Sequence, residues 1–442
     1  MNSSALPRTR VHRNLTLGLL VVLLGWSIGS LSGNDLETAR TAVILGILLI
    51  VSLPLFWMIA RSDPDGGALL ALLFAAFAVK LGAVYFRLHF ALLADAYAYD
   101  FYGREIAAAL EVGRWHEAAG YQRTALIRLL TGLLYTITGP AFYGASVLWG
   151  WLGLLGMMFY YKAFSTAFPN GDRRLYMLLI LFYPSLQLWT SSLGKDAIVA
   201  LFLGLGAYGT ARIQRRIEFV GLLCFGLGIG GALLIRPHIG AALAVALSFS
   251  MFIRPIRAGL LSPVIRIVGL ALFVGIAVLA VRSAASFVQL EGLSEEQIVG
   301  FIESRRTAGA GDAGSFEAVN PLTPAGAVMI IPTILLRPFP WEAQSALAFI
   351  AAAEGVVLIA LMFARRRSII SALLAAPRNS NVLWIVVYLT EFVFLFSAVS
   401  NFGILVRQRA QFLPFLFMLI AYLPGGVVQR PFRAMHSSGA QS

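Results

Sequence analysis

Apolar runs long enough to cross a bilayer recur along this sequence, and no other feature constrains the fold as tightly. Eighteen or so such residues, coiled as a helix, reach across the hydrocarbon core. Inside that core every backbone N–H and C=O needs an internal partner, so only helices and closed barrels can span it. The alternating segments of about ten residues that build a membrane barrel are missing here. The expected fold is therefore all-α: a polytopic transmembrane bundle of about twelve spanning helices with two re-entrant or juxtamembrane helices. Composition agrees, since 59% of the 442 residues are hydrophobic and only 12% charged, against roughly 25% charged in soluble domains.

The net charge of +13 is read by location. Lys and Arg gather on the cytoplasmic side of membrane proteins, and no basic stripe interleaved with aromatics points to nucleic acid. Cys224 is the single cysteine, which excludes disulfides and thiolate metal sites within the chain. Arg8, Arg10 and Arg13 precede the first apolar run, read as a retained helix over 15–32 with a cytoplasmic N-terminus.

Further spans are expected over 41–60, 68–86, 143–161, 175–188, 197–211, 219–235, the stretch after Pro237, 268–281, 346–363, 382–399 and 412–423. Residues 124–138 and 325–336 read as re-entrant or surface helices, because Gly139-Pro140 and the Pro324/Pro338 pair cut them short. This arrangement keeps Lys162, Arg173, Arg174, Arg212, Arg215, Arg216 and Arg365 to Arg367 inside, with both termini cytoplasmic. The chain then reads as one membrane domain over 1–442. It comprises N-terminal helices at 14–86, an outer catalytic loop at 87–140, central helices at 141–282, a second outer loop at 283–342, C-terminal helices at 343–425 and a cytoplasmic tail at 426–442.

The outer stretch ADAYAYDFYGREIAAALEVGRWHEAAGYQR, residues 94–123, alternates acids with aromatics. Asp95 follows the end of a span, where a held carboxylate can act as general base toward an acceptor hydroxyl. Asp100 and Glu105 are further carboxylate candidates. Tyr97, Tyr99, Tyr102 and Trp115 offer ring faces for the C–H patches of sugars. Arg104, Arg114, Arg123, Lys195, Arg236, Arg305, Arg306, Arg337, Arg407 and Arg409 stand outside, where the positive-inside rule disfavours them, and three features among them invite a phosphate. In SSLGKD, Lys195 sits in the first turn of a helix whose dipole it opposes, which a bound phosphate would explain. Arg236, followed by Pro237 and His238, is placed to hold a phosphate in bidentate fashion. Arg407 and Arg409 of LVRQRAQ can clamp a phosphate as the chain enters its last span. No second His or carboxylate stands near His238 at ligand spacing, so no cofactor is expected and a metal site would have to form across loops. Lys80, Glu354 and Glu391 lie inside apolar helices, where ionisable groups face a cavity or a partner.

With this topology drawn, DAYAYDFYGREIAAALEVGRW resembles the first outer loop of the GT-C superfamily of integral-membrane glycosyltransferases. The chain also resembles bacterial polysaccharide-polymerase-type membrane proteins near that group. The resemblance implies Asp95 as catalytic carboxylate and a polyprenyl-phosphate-linked sugar as donor. It also implies a glycan or lipid acceptor at the outer face of a bacterial inner membrane. Under it, Lys195, Arg236, Arg407 and Arg409 would hold the phosphate. Polymerisation of lipid-pyrophosphate-linked repeat units is the nearest alternative. A transporter or flippase of lipid-linked saccharides, using Glu354 and Glu391, is the reading from a different class.

Overall fold

The computed structural model describes residues 35–91, 93–114, 125–253, 323–397 and 399–424, with isolated positions at 275, 278, 314, 316 and 319. Among these, every regular element is an α-helix. In chain order they are α1 (Leu36–Arg61), α2 (Gly66–Phe90), α3 (Ala94–Glu111), α4 (Ala125–Thr138), α5 (Phe142–Ala167), α6 (Arg173–Phe182), α7 (Pro184–Trp189) and α8 (Lys195–Arg215). There follow α9 (Phe219–Ile235), α10 (Pro237–Ile253), α11 (Pro324–Leu336), α12 (Ala346–Ala364), α13 (Arg366–Ala375), α14 (Ser380–Leu395) and α15 (Phe402–Ile420).

Six of these, α1, α2, α5, α8, α12 and α15, are long and apolar enough to cross a membrane. The pair α13 and α14, bent by 106°, makes a seventh if counted as one span. The protein is a helical membrane protein. The span count differs from the twelve expected for identifiable reasons. The expected helices over 15–32 and 268–281 lie outside the described residues, apart from positions 275 and 278. The helices α9 and α10 match their expected positions but have 17 residues each. The helix expected over 175–188 is two pieces, because Pro184 lacks the N–H that would continue α6 and instead starts α7.

Two loops expected from their charges are helical. Residues 94–111 form α3, and NFGILVRQRAQ belongs to α15, which begins at Phe402 rather than Phe412. The Arg365 to Arg367 anchor carries a further helix, α13. Helix starts follow ordinary capping chemistry. The Asp35 carboxylate accepts from the backbone N–H groups of Glu37 and Thr38 at 3.3 and 3.2 Å, which holds it below the usual carboxylate range. Asn379 and Asn401 cap α14 and α15 in the same way.

The described chain falls into two compact units. The first takes residues up to Met157 and Leu181–Leu201; the second takes Met158–Ile180 and residues from Phe202 onward. In the first, α5 is laid against its neighbours by glycines. A Cβ on Gly150 would meet the side chains of Val84 and Lys80 at 3.1 and 3.3 Å. One on Gly153 would stand 2.9 Å from Thr190, and one on Gly156 2.5 Å from the backbone of Ala200. Small residues at i, i+3 and i+6 thus let α2, the α7 end and α8 approach one face of α5 closely. The Trp151 indole donates to the hydroxyl of Ser52 at 2.8 Å.

The second unit is centred on the Phe415 ring, against which Tyr160, Trp384 and Tyr388 pack at 5.4, 5.6 and 4.3 Å. There α8 and α9 touch backbone to backbone, since a Cβ on Gly228 would lie 2.3 Å from the nitrogen of Gly206. The Arg365 guanidinium pairs with Asp172 at 2.9 Å, and the Asp172 N–H donates to the Ala421 carbonyl at 2.8 Å, tying α6 to the ends of α12 and α15.

Candidate functional site

The first unit holds the residues singled out in the 94–123 stretch. Helices α3 and α4 form a hairpin whose backbones approach through Gly103, pressed on Thr131, and Gly132, pressed on Ile106. The Asp100 carboxylate lies in this hairpin. It accepts from the Tyr135 hydroxyl at 2.5 Å and from Arg104 Nε at 2.9 Å. Burial pushes proton loss from Tyr135 well above the ordinary tyrosine range, and the hydrogen bond to Asp100 adds to it. The phenol therefore stays a donor throughout the working pH range. Asp100 is thereby committed to holding the hairpin, while Asp95 and Glu105 are exposed.

Three of the four aromatic candidates are engaged within the protein or buried in it. Tyr97 stacks on Phe142 with centroids 5.0 Å apart, Arg128 lies 3.8 Å over the ring of Tyr102, and Tyr99 is buried. Trp115 lies outside the described residues. Of the three described, Tyr97 is the most exposed, at 55%.

The SSLGKD stretch departs most from expectation. In place of the expected outer loop stands a turn enclosed by protein, with Thr190, Ser191, Ser192, Leu193 and Asp196 all buried. A buried turn must have its polar backbone answered, and α2 does this with a cation. Lys80, fully buried, donates to the carbonyls of Leu186 and Gln187 at 3.2 and 2.9 Å and to the Thr190 hydroxyl at 2.7 Å. Both carbonyls lie at the C-terminal end of α7, where positive charge is favoured, and each also accepts from a hydroxyl of the turn, Leu186 from Thr190 and Gln187 from Ser191. Seven residues on, along the same face of α2, Arg87 lies 4.7 Å over the Trp189 ring and donates to Ser192 Oγ at 3.4 Å. The N–H of Leu193 donates to the buried hydroxyl of Ser146 at 3.3 Å. Lys195, half-buried, opens α8 directly after the turn.

No family model, curated protein or solved structure matches this chain.

The remaining candidates lie in the second unit. Arg236 ends α9, its N–H returning to the Ala232 carbonyl and its guanidinium donating to Gln408 Oε1. His238, buried in the first turn of α10, faces the Phe396 ring at 6.0 Å. Arg407 and Arg409 stand within α15 rather than ahead of it. The buried Arg409 donates to the carbonyls of Ile334, at 3.0 Å, and Arg337, closing the C-terminal end of α11. Arg409 therefore does in this unit what Lys80 does in the other: a cation from a long helix holds the end of a short one. Glu354 is buried in α12. Glu391 in α14 has a buried Oε2 with no hydrogen-bond partner among the described residues. Among those residues, no three His, Cys, Asp or Glu side chains stand together as a metal would require.

Sequence reasoning found Lys80 as an ionisable residue out of place but not its partners, and it missed Arg87. The signal for both was present: a basic pair seven apart on one face of an apolar helix, and a Gly150-Gly153-Gly156 stripe on the next span.

Proposed function

We propose that the protein is a GT-C-like membrane glycosyltransferase acting at the extracytoplasmic face of a bacterial inner membrane. It would move a sugar from a polyprenyl-phosphate-linked donor to a glycan or lipid acceptor. One observation carries the reading. Asp95 is exposed in the first turn of a juxtamembrane helix, and the end of α2 that leads into it also carries Arg87, in contact with the turn before Lys195. A carboxylate and cations at one end of a span are what this chemistry needs.

In that reaction the Asp95 carboxylate takes the proton of an acceptor hydroxyl. The acceptor oxygen bonds to the anomeric carbon, the bond from that carbon to the phosphate oxygen breaks, and the phosphate leaves with the bonding pair. Lys195 and Arg87 stabilise the charge gathering on the leaving oxygen. Asp100 holds the α3–α4 hairpin that presents Asp95. Arg236 and Arg409 serve the architecture of the second unit, and Arg407 remains the candidate there for a lipid phosphate. The test is sugar transfer by purified protein from a polyprenyl-phosphate donor. Asp95→Asn is expected to lower turnover at least about a hundredfold, in line with loss of a general base; full retained activity would exclude Asp95 from that role.

A second reading, transport of lipid-linked saccharides, draws on two observations: the break between α6 and α7, and the carboxylates of Glu354, buried, and Glu391, half-buried. Broken helices and intramembrane acids recur in transporters. Loss of saccharide translocation in Glu354→Gln and Glu391→Gln, with Asp95→Asn unaffected, would favour it.

A further inference from the structure

We propose that Lys80 is a positioning residue: its ammonium pins the end of α7 deep within the membrane and so sets where the turn carrying Ser192 and Lys195 stands. The inference rests on the proposed function only for its kinetic consequence.

The depth follows from helix rise. Lys80 lies ten residues before the end of α2, about 15 Å at 1.5 Å per residue. Gly153, which presses on Thr190, lies eleven residues after the start of α5, about 16 Å by the same rise. Two helices running in opposite directions thus put Thr190 at the same level, near the middle of a hydrocarbon core about 30 Å thick. From there the turn rises toward the outer side. Leu193 meets Ser146, four residues and about 6 Å from the start of α5. Non-helical backbone survives at such depth only inside protein or along a wet cavity.

What keeps it there is a small set of bonds. The stem of Lys80 lies against Gly150, where any side chain would crowd it, and its three donors are all used on α7 and Thr190. Arg87, two turns further along α2, holds the outer part of the same segment through Trp189 and Ser192. Lys195 comes three residues after Ser192, so its place follows from where the turn is pinned. A neutral side chain at position 80 takes the ammonium away from both carbonyls and leaves them the Thr190 and Ser191 hydroxyls alone as side-chain donors among the described residues.

The experiment replaces Cys224 with Ser, leaving no cysteine, and introduces Ser192→Cys into the full-length protein in nanodiscs. Labelling by a membrane-impermeant maleimide then reports whether the turn stays enclosed. With Lys80 present, labelling is expected to be slow. Lys80→Met should speed it at least about tenfold, the scale of losing hydrogen bonds to a charged group. Lys80→Arg, which keeps a cation, should restore most of the protection. Should Lys80→Met not fold, Thr190→Val removes one of the three bonds at equal bulk and should speed labelling to a smaller degree. In sugar transfer, Lys80→Met should raise KM for the donor more than it lowers kcat, a split that loss of fold alone would not give. Unchanged labelling in both variants overturns the proposal. Faster labelling with no transferase activity in any form of the protein leaves the positioning role standing and removes the proposed reaction instead.

Discussion

The most informative residues here are polar ones whose partners sit far along the chain. Tyr135 and Asp100 are 35 positions apart yet share a 2.5 Å hydrogen bond, with Arg104 on the other carboxylate oxygen. Tyr135→Phe leaves the ring and removes the donor. The expected cost is about 1.5–3 kcal/mol, the range for a hydrogen bond to a charged group, read as a lower thermal midpoint with α3–α4 opening first in hydrogen exchange. An unchanged midpoint would mean that the hairpin is held by its glycine contacts alone. Asp35 gives a pH dependence. Its folded pKa is depressed by the N–H groups it caps, so its contribution is present above the unfolded value of about 3.9 and is lost as pH falls through the folded value. Asp35→Asn keeps a capping oxygen without the charge. It should flatten the acid limb of the stability profile while leaving neutral pH little affected.

At the scale of the element, the helices are separated by two devices, glycine contact and breaks closed by cations. Gly228→Leu would force a side chain against the backbone of Gly206, where even a Cβ would stand at 2.3 Å. Overpacking of this kind costs about 1–3 kcal/mol or more. The variant should melt well below the parent in detergent. Gly226→Ala in the same helix meets nothing within 4 Å and should melt at or above it. Equal melting of the two would contradict the close α8–α9 packing. Pro184→Ala offers the missing N–H and should let α6 and α7 run together, drawing the end of α7 off Lys80. The labelling of a cysteine at position 192 should then rise as it does in Lys80→Met.

These devices also show how far the chain could be read in advance. Spans announce themselves by apolar length, and α1, α2, α5, α8 and α12 were legible as such. Breaks were not. Residues 175–188 read as one apolar run divided by a single proline, and prolines are tolerated inside α1 (Pro54) and α15 (Pro414). LVRQR looked like a loop because two arginines in an apolar helix are costly. That reasoning missed how Arg409 can be buried when carbonyls at the end of α11 take its donors. SSLGKD looked like solvent-facing loop because nothing local tells a polar turn in water from one enclosed by α2, α5 and α7. Its cation comes from 110 residues upstream.

For the whole molecule, the proposed reaction draws on three features of the first unit: an exposed Asp95, an enclosed turn before Lys195, and Lys80 and Arg87 in contact with that turn. The most direct test follows one preparation through two readouts. The protein is reconstituted in liposomes with a polyprenyl-phosphate-linked sugar and an acceptor, and both product formation and donor translocation are followed. The wild type and Glu391→Gln are expected to form the glycosidic product, and Asp95→Asn is expected to form none. Product formation by Asp95→Asn at the wild-type rate, or translocation without product that Glu391→Gln abolishes, would contradict the proposed reaction.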